Sequence, residues 1–144
     1  MLNEELIRDA YILMFSGGSK WKVVGKEMWY WDVEHQPITI EFVDGCRHII
    51  DRLYYSSGGL YKIAEYKNGL YDGKLIVYYE SGQVSYEIDF SAGLEEGKYK
   101  AYRPNGCPEH EIDYKGGKID GEFIAYQPSG GVWYRHQYKN GRQV

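Results

Sequence analysis

Cys46, Arg47 and His48 are adjacent and form the most reactive run in the chain. A thiolate nucleophile needs a base within hydrogen-bond reach, and that base normally approaches from a separate segment. On a strand, Cys46 and His48 would share a face only through the two-residue alternation, so the run reads as a loop at a repeat boundary, not as a catalytic pair. His35, His48, His110 and His136 fall in different stretches without metal-ligand spacing, and Cys107 is followed by Pro108. No catalytic residue, metal site or cofactor is predicted from these groups. The glycines lack the strand-to-helix setting of a phosphate loop. The chemistry that remains is electrostatic. It is an acidic series at Glu41, Glu65, Asp89 and Asp113, joined by Glu87 and Glu111 one alternation earlier.

Those carboxylates recur because the chain recurs. Glycine returns every 24 residues in three series: Gly58, Gly82, Gly106, Gly130; Gly69, Gly93, Gly117, Gly141; and Gly73, Gly97, Gly121. Tyr54, Tyr78, Tyr102 and Tyr126 keep the interval, as do the aromatics Tyr66, Phe90, Tyr114 and Tyr138. Residues 50 to 144 are therefore four repeats of 24, and residues 26 to 49 a degenerate fifth in which Glu34 replaces the first-series glycine. Ser-Gly and Asn-Gly pairs in each block signal tight turns, where glycine meets a positive φ without a Cβ clash; all three series are expected to mark corners. Between them Val84, Tyr86, Ile88 and Phe90 alternate with Ser85, Glu87 and Asp89, which predicts a strand with one buried and one wet face. His110 and His136 fall on the apolar parity and are expected as hydrogen-bonded residues at its rim.

The predicted fold is mainly β: an elongated, twisted single sheet of antiparallel hairpins, two strands per block, capped by a short N-terminal helix. Asn3 suits the N-cap, Leu6, Ala10 and Leu13 follow helical spacing, and Ser16-Gly17-Gly18 is a stop, placing that helix at about 4 to 15 within a cap segment of residues 1 to 25. At 144 residues one structural domain is expected. The 17 basic and 21 acidic residues give a net charge of -4, which argues against direct nucleic-acid binding and against an anionic membrane surface, and favours a basic partner. Cys46 and Cys107 occupy different repeat positions and are read as free thiols of a reducing, cytoplasmic compartment, in keeping with an acidic N-terminus that lacks signal-peptide character.

Blocks such as YDGKLIVYYESGQVSYEIDFSAG and IDGEFIAYQPSGGVWYRHQYKNG resemble the MORN-repeat variant. The resemblance covers about two-thirds of the chain. It implies a stack of hairpins and a non-enzymatic binding role, of the kind described for antitoxin-like or immunity-like bacterial proteins of this variant; a membrane-surface or scaffold tether of the MORN type is the alternative. The acidic series is open to two readings, as the solvated face of an amphipathic sheet or as a ladder of carboxylates ~9.6 Å apart that steers a basic protein such as a nuclease toxin. The residues expected to carry partner binding are Glu65, Glu87, Asp89, Glu111, Asp113, Trp133 and Tyr134. The strand holding these two aromatics is expected near a free edge, open to a homodimer or to a strand from a partner.

Overall fold

A computed structural model describes the strands Lys20–Val24, Glu27–Trp31 and Pro37–Asp44 as backbone, and residues 48–144 with their side chains. The helix expected at about 4 to 15 and the residues Cys46 and Arg47 lie outside the described residues. Strands β1 (Lys20–Val24), β2 (Glu27–Trp31), β3 (Pro37–Asp44), β4 (His48–Tyr54), β5 (Leu60–Lys67) and β6 (Leu70–Tyr78) are followed by β7 (Val84–Ser91), β8 (Leu94–Tyr102), β9 (Pro108–Lys115), β10 (Lys118–Tyr126), β11 (Val132–Lys139) and β12 (Arg142–Gln143). They form one antiparallel sheet in strict sequence order, each strand pairing with the next. No helix occurs among the described residues, and so none there is long and apolar enough to cross a membrane.

Two kinds of corner fold the chain. Asn68-Gly69, Ala92-Gly93, Gly116-Gly117 and Asn140-Gly141 each place two successive residues at positive φ, the geometry whose twist matches that of the strands it joins. The other corner is a four-residue turn: the amide of Gly82 donates to the carbonyl of Tyr79 at 2.9 Å, and Tyr79 donates to Gln83 at 2.8 Å. The same pair of bonds recurs from Tyr55, Arg103 and Gln127. Between Ala125 and Tyr126 the register with β11 shifts, so that Trp133 stands as an extra residue in a bulge beside the turn.

The third glycine series departs from the expectation. Gly73, Gly97 and Gly121 lie inside β6, β8 and β10, not at corners, although each has φ between 90 and 125°. On one side they pair with the aromatics Phe90, Tyr114 and Tyr138. On the other side the register slips by two residues, from Ile112↔Phe123 to Tyr114↔Ile119 in the last repeat. The φ value calls for glycine at all three, and space calls for it at Gly73, against Glu65, and at Gly121, where a Cβ would stand 2.7 Å from Asp113 Oδ2.

The alternation divides the sheet into two faces. The inner face carries Ile49, Ala64, Tyr66, Leu75, Val77, Ile88, Ala101, Ile112 and Ala125, all buried. Small residues lie between large rings: Tyr66 stacks on Tyr71 at 4.7 Å, Tyr71 leans on Phe90 at 5.0 Å, and Tyr86 on Tyr99 at 5.7 Å. Burying a side chain such as Ile88 contributes roughly 1.5–3 kcal/mol, which makes this face the source of most of the stability of the array. The register settles the even strands, whose sequence is apolar on both parities: Leu75 and Val77 face inward beside Ile88 and Tyr86, while Lys74 and Ile76 face outward beside Asp89 and Glu87.

Successive repeats are also tied by side chains at the same 24-residue interval. Tyr55 and Tyr79 donate their hydroxyls to the carbonyls of Tyr78 and Tyr102 at 2.6 and 2.7 Å, and Arg103 takes the same role toward Tyr126 at 2.9 Å. Asp72, Glu96 and Asp120 accept the amides of Ala92, Gly116 and Asn140, one carboxylate per turn. The Asp-Gly and Glu-Gly pairs of the sequence thus join a turn acceptor to a bulge glycine.

Candidate partner-binding surface

Glu65, Glu87, Asp89, Glu111 and Asp113 stand together on the outer face, because each sits one residue out of phase with the buried positions of β5, β7 and β9. They do not form a bare acidic column. Lys74 pairs with Asp89 at 3.6 Å, His48 lies 3.7 Å from Glu65, and Lys98 reaches Asp113 at 2.7 Å and Glu111 at 4.0 Å. The hydrogen bond to Asp113 leads the influences that raise the Lys98 pKa. For Asp113 itself burial pushes the pKa upward, but Lys98 and the Glu122 amide outweigh it and hold the carboxyl below its usual range.

Part of the ladder is structural. Asp113 Oδ2 accepts the Glu122 amide at 2.9 Å at the register slip beside Gly121, an amide that the paired strand leaves free. Glu65 presses in the same way on the position beside Gly73. Glu87 is the exception: it makes no ion pair or hydrogen bond among the described residues. It lines an open pocket with Gln83, Val84, Tyr102 and Gly106. Burial, then the charges of Glu87 and Glu111, raise the Tyr102 pKa and keep its hydroxyl protonated.

Trp133 and Tyr134 do not share this surface. Tyr134 pairs with Ala125 and stacks on Phe123 at 5.8 Å, on the inner face. Trp133 stands in its bulge 68% exposed, its ring 5.8 Å from that of Tyr134. Both lie on β11, which β12 covers only at Tyr138 and Lys139, with one further bond from the Val144 amide to the Gln137 carbonyl. His110 and His136 are half-buried on the inner face, His110 against Phe123 and His136 at 2.9 Å from Gln143. Cys107 is a free thiol.

One buried charge escaped the sequence reading. Asp51, 1% exposed, occupies the inner position filled by Leu75, Tyr99 and Phe123 in the later repeats. Neither carboxylate oxygen has a hydrogen-bond partner. Burial raises its pKa to about 6; the Lys62 charge, the Tyr66 hydroxyl and the Ala64 amide oppose this but are too poorly placed to complete a bond. Burial, reinforced by the Asp51 charge, holds the Tyr66 phenol well above its ordinary value. The 24-residue alignment contained the signal: it sets an acid in a column of apolar residues.

Among solved structures the chain resembles TarM, with a TM-score of 0.52 and 8% identity over 78% of this chain and 22% of that one. A second structure, of an S. aureus TarM mutant in complex with fondaparinux, alpha-GlcNAc-glycerol and UDP, matches with a TM-score of 0.52 and 8% identity over 78% and 23% of the two chains. At that identity the likeness is one of fold alone, and this chain spans less than a quarter of the TarM chains. No curated protein matches it. Residues 71–92 and 119–140 match the family described as MORN repeat variant, the pairs β6–β7 and β10–β11. The unmatched pair between them, β8–β9, has the same turns, bulge glycine and inter-repeat bonds, and repeats of the matched family are in general binding and scaffold modules.

Proposed function

We propose that this protein is a non-enzymatic protein-binding module whose outer face engages a basic protein partner, in the manner of an antitoxin or immunity protein holding a nuclease toxin. The observation that carries the reading is the recurrence of Glu87 and Glu111 on the outer face at the repeat interval, each one alternation before Asp89 and Asp113. Among the described residues these two, unlike Asp113, accept no backbone amide, and Glu87 has no ion pair either, while Glu111 is met only by the Lys98 ammonium and the Tyr126 hydroxyl. A basic surface meeting this face would be steered by the carboxylates and anchored by the tyrosines between them. The phosphate-rich surface of a membrane or nucleic acid would meet like charge there.

The test is capture from the native cell with the whole chain as bait. Charge reversal at Glu87 and Glu111 together leaves the bulge carboxylates intact, and the expected outcome is loss of a basic protein from the captured set. Capture that is unchanged by the double variant, or flotation of the protein with anionic vesicles, would sink the reading and favour a surface tether.

A further inference from the structure

We infer that the outer face contains one receptive site for an arginine side chain of a protein partner, built by Glu87, Tyr102 and Gln83 over Gly106. This rests on the proposed binding role and gives it a location. The pocket these residues line has a volume of about 200 Å³ and opens to solvent, room for a guanidinium and part of its stem.

Three features distinguish the site from the rest of the ladder. Glu87 is the ladder carboxylate without an ion pair or hydrogen bond among the described residues, so its charge is available, whereas Glu111 is already approached by Lys98 at 4.0 Å. The Tyr102 phenol, kept neutral by burial and by Glu87 itself, offers a ring face beside that carboxylate. Gly106 and Gln83 line the same pocket, with Gln83 Oε1 next to the glycine, so the side-chain amide stands beside the carboxylate and the ring. A guanidinium is planar, stacks on an aromatic ring and presents paired N–H donors, so one group can meet the carboxylate, the ring and the amide oxygen together. An ammonium can satisfy the carboxylate but not the same plane.

The repeat supplies its own controls. One period earlier Glu87 is replaced by Ile63, and one period later Gln83 is replaced by Cys107 and the carboxylate is Glu111, next to Lys98. Among the described residues, an unpaired carboxylate, a tyrosine and an amide acceptor meet only at this junction of the second and third blocks.

The experiment is a titration of the isotope-labelled whole chain with L-argininamide, followed by amide chemical shifts. Saturable shifts are expected at Gln83, Val84, Glu87, Tyr102 and Gly106. Glu87→Gln is expected to weaken binding about tenfold, Tyr102→Leu to weaken it as well, and Glu111→Gln to weaken it less than Glu87→Gln; L-lysinamide binds more weakly than L-argininamide. Spectra that remain dispersed elsewhere establish that each variant is folded. Shifts spread evenly over Asp89, Glu111 and Asp113, or binding indifferent to Glu87→Gln, would overturn the assignment. The argininamide site can fail while the basic partner is still captured, or persist when no partner is captured, so this inference and the broader reading fall separately.

Discussion

Asp113 Oδ2 accepts the amide of Glu122 at 2.9 Å and fills the space that a Cβ on Gly121 would claim. The carboxylate and the glycine are therefore one device, a side chain that caps a register slip and a residue small enough to admit it. Asp113→Ala leaves the Glu122 amide without its acceptor and is expected to cost roughly 1–3 kcal/mol. Gly121→Ala meets both a φ of +125° and the carboxylate, and should cost at least as much in the wild-type background. In an Asp113→Ala background the Gly121→Ala penalty should shrink, because only the backbone strain is left. Urea denaturation of the two single variants and the double variant measures the coupling, and strictly additive losses would contradict it. Because the folded-state pKa of Asp113 is depressed, its contribution is complete above the ordinary carboxylate value of 3.8 and is lost as pH falls through the folded value.

Ala92 holds φ of 48° at a corner where its equivalents are Asn68, Gly116 and Asn140. A left-handed alanine is strained by about 1–2 kcal/mol, while glycine and asparagine adopt this region readily. Ala92→Gly and Ala92→Asn are both expected to stabilise the protein by about 1 kcal/mol, with the amide still bound to Asp72 at 3.0 Å. Thermal denaturation gives the sign directly: an unchanged or lower midpoint for both variants would mean that the turn relaxes around alanine at no cost.

Much of this structure was legible because a hairpin repeat writes its corners and its pleat into the sequence. The Ser-Gly and Asn-Gly turns, the inward row from Val84 to Phe90 and the outward placement of Glu87 and Asp89 follow from φ and from two-residue alternation. The bulge glycines were misread as corners because a positive φ leaves the same mark in sequence whether the chain reverses or only slips register. The position of Trp133 was not legible for a related reason: a bulge adds a residue, so neighbours in sequence no longer alternate between faces there. The pocket beside Glu87 depends on Lys98 reaching Glu111 and Asp113 and not Glu87, which spacing along one strand does not fix.

Asp51 carries the clearest pH dependence. Its carboxyl is buried with both oxygens unpartnered, and its pKa is raised from 3.8 to about 6. The native state therefore binds this proton more tightly than the unfolded chain, so the group destabilises the fold above about pH 6 and ceases to do so as pH falls from 6 toward 4. The full penalty at neutral pH is of the order of 3 kcal/mol, taking ~1.4 kcal/mol for each unit of a shift of about two. Asp51→Leu places there the residue that the next repeat has at position 75, in a setting of Ile49, Ala64 and Leu75. At pH 7.5 the variant is expected to be more stable than the wild type by up to about 3 kcal/mol, and the gap should close steadily between pH 6 and pH 4. Urea denaturation at pH 7.5 and 4.5 measures both ends. A variant less stable than the wild type at pH 7.5 would mean that the carboxylate is held by a favourable contact and is not an isolated buried charge.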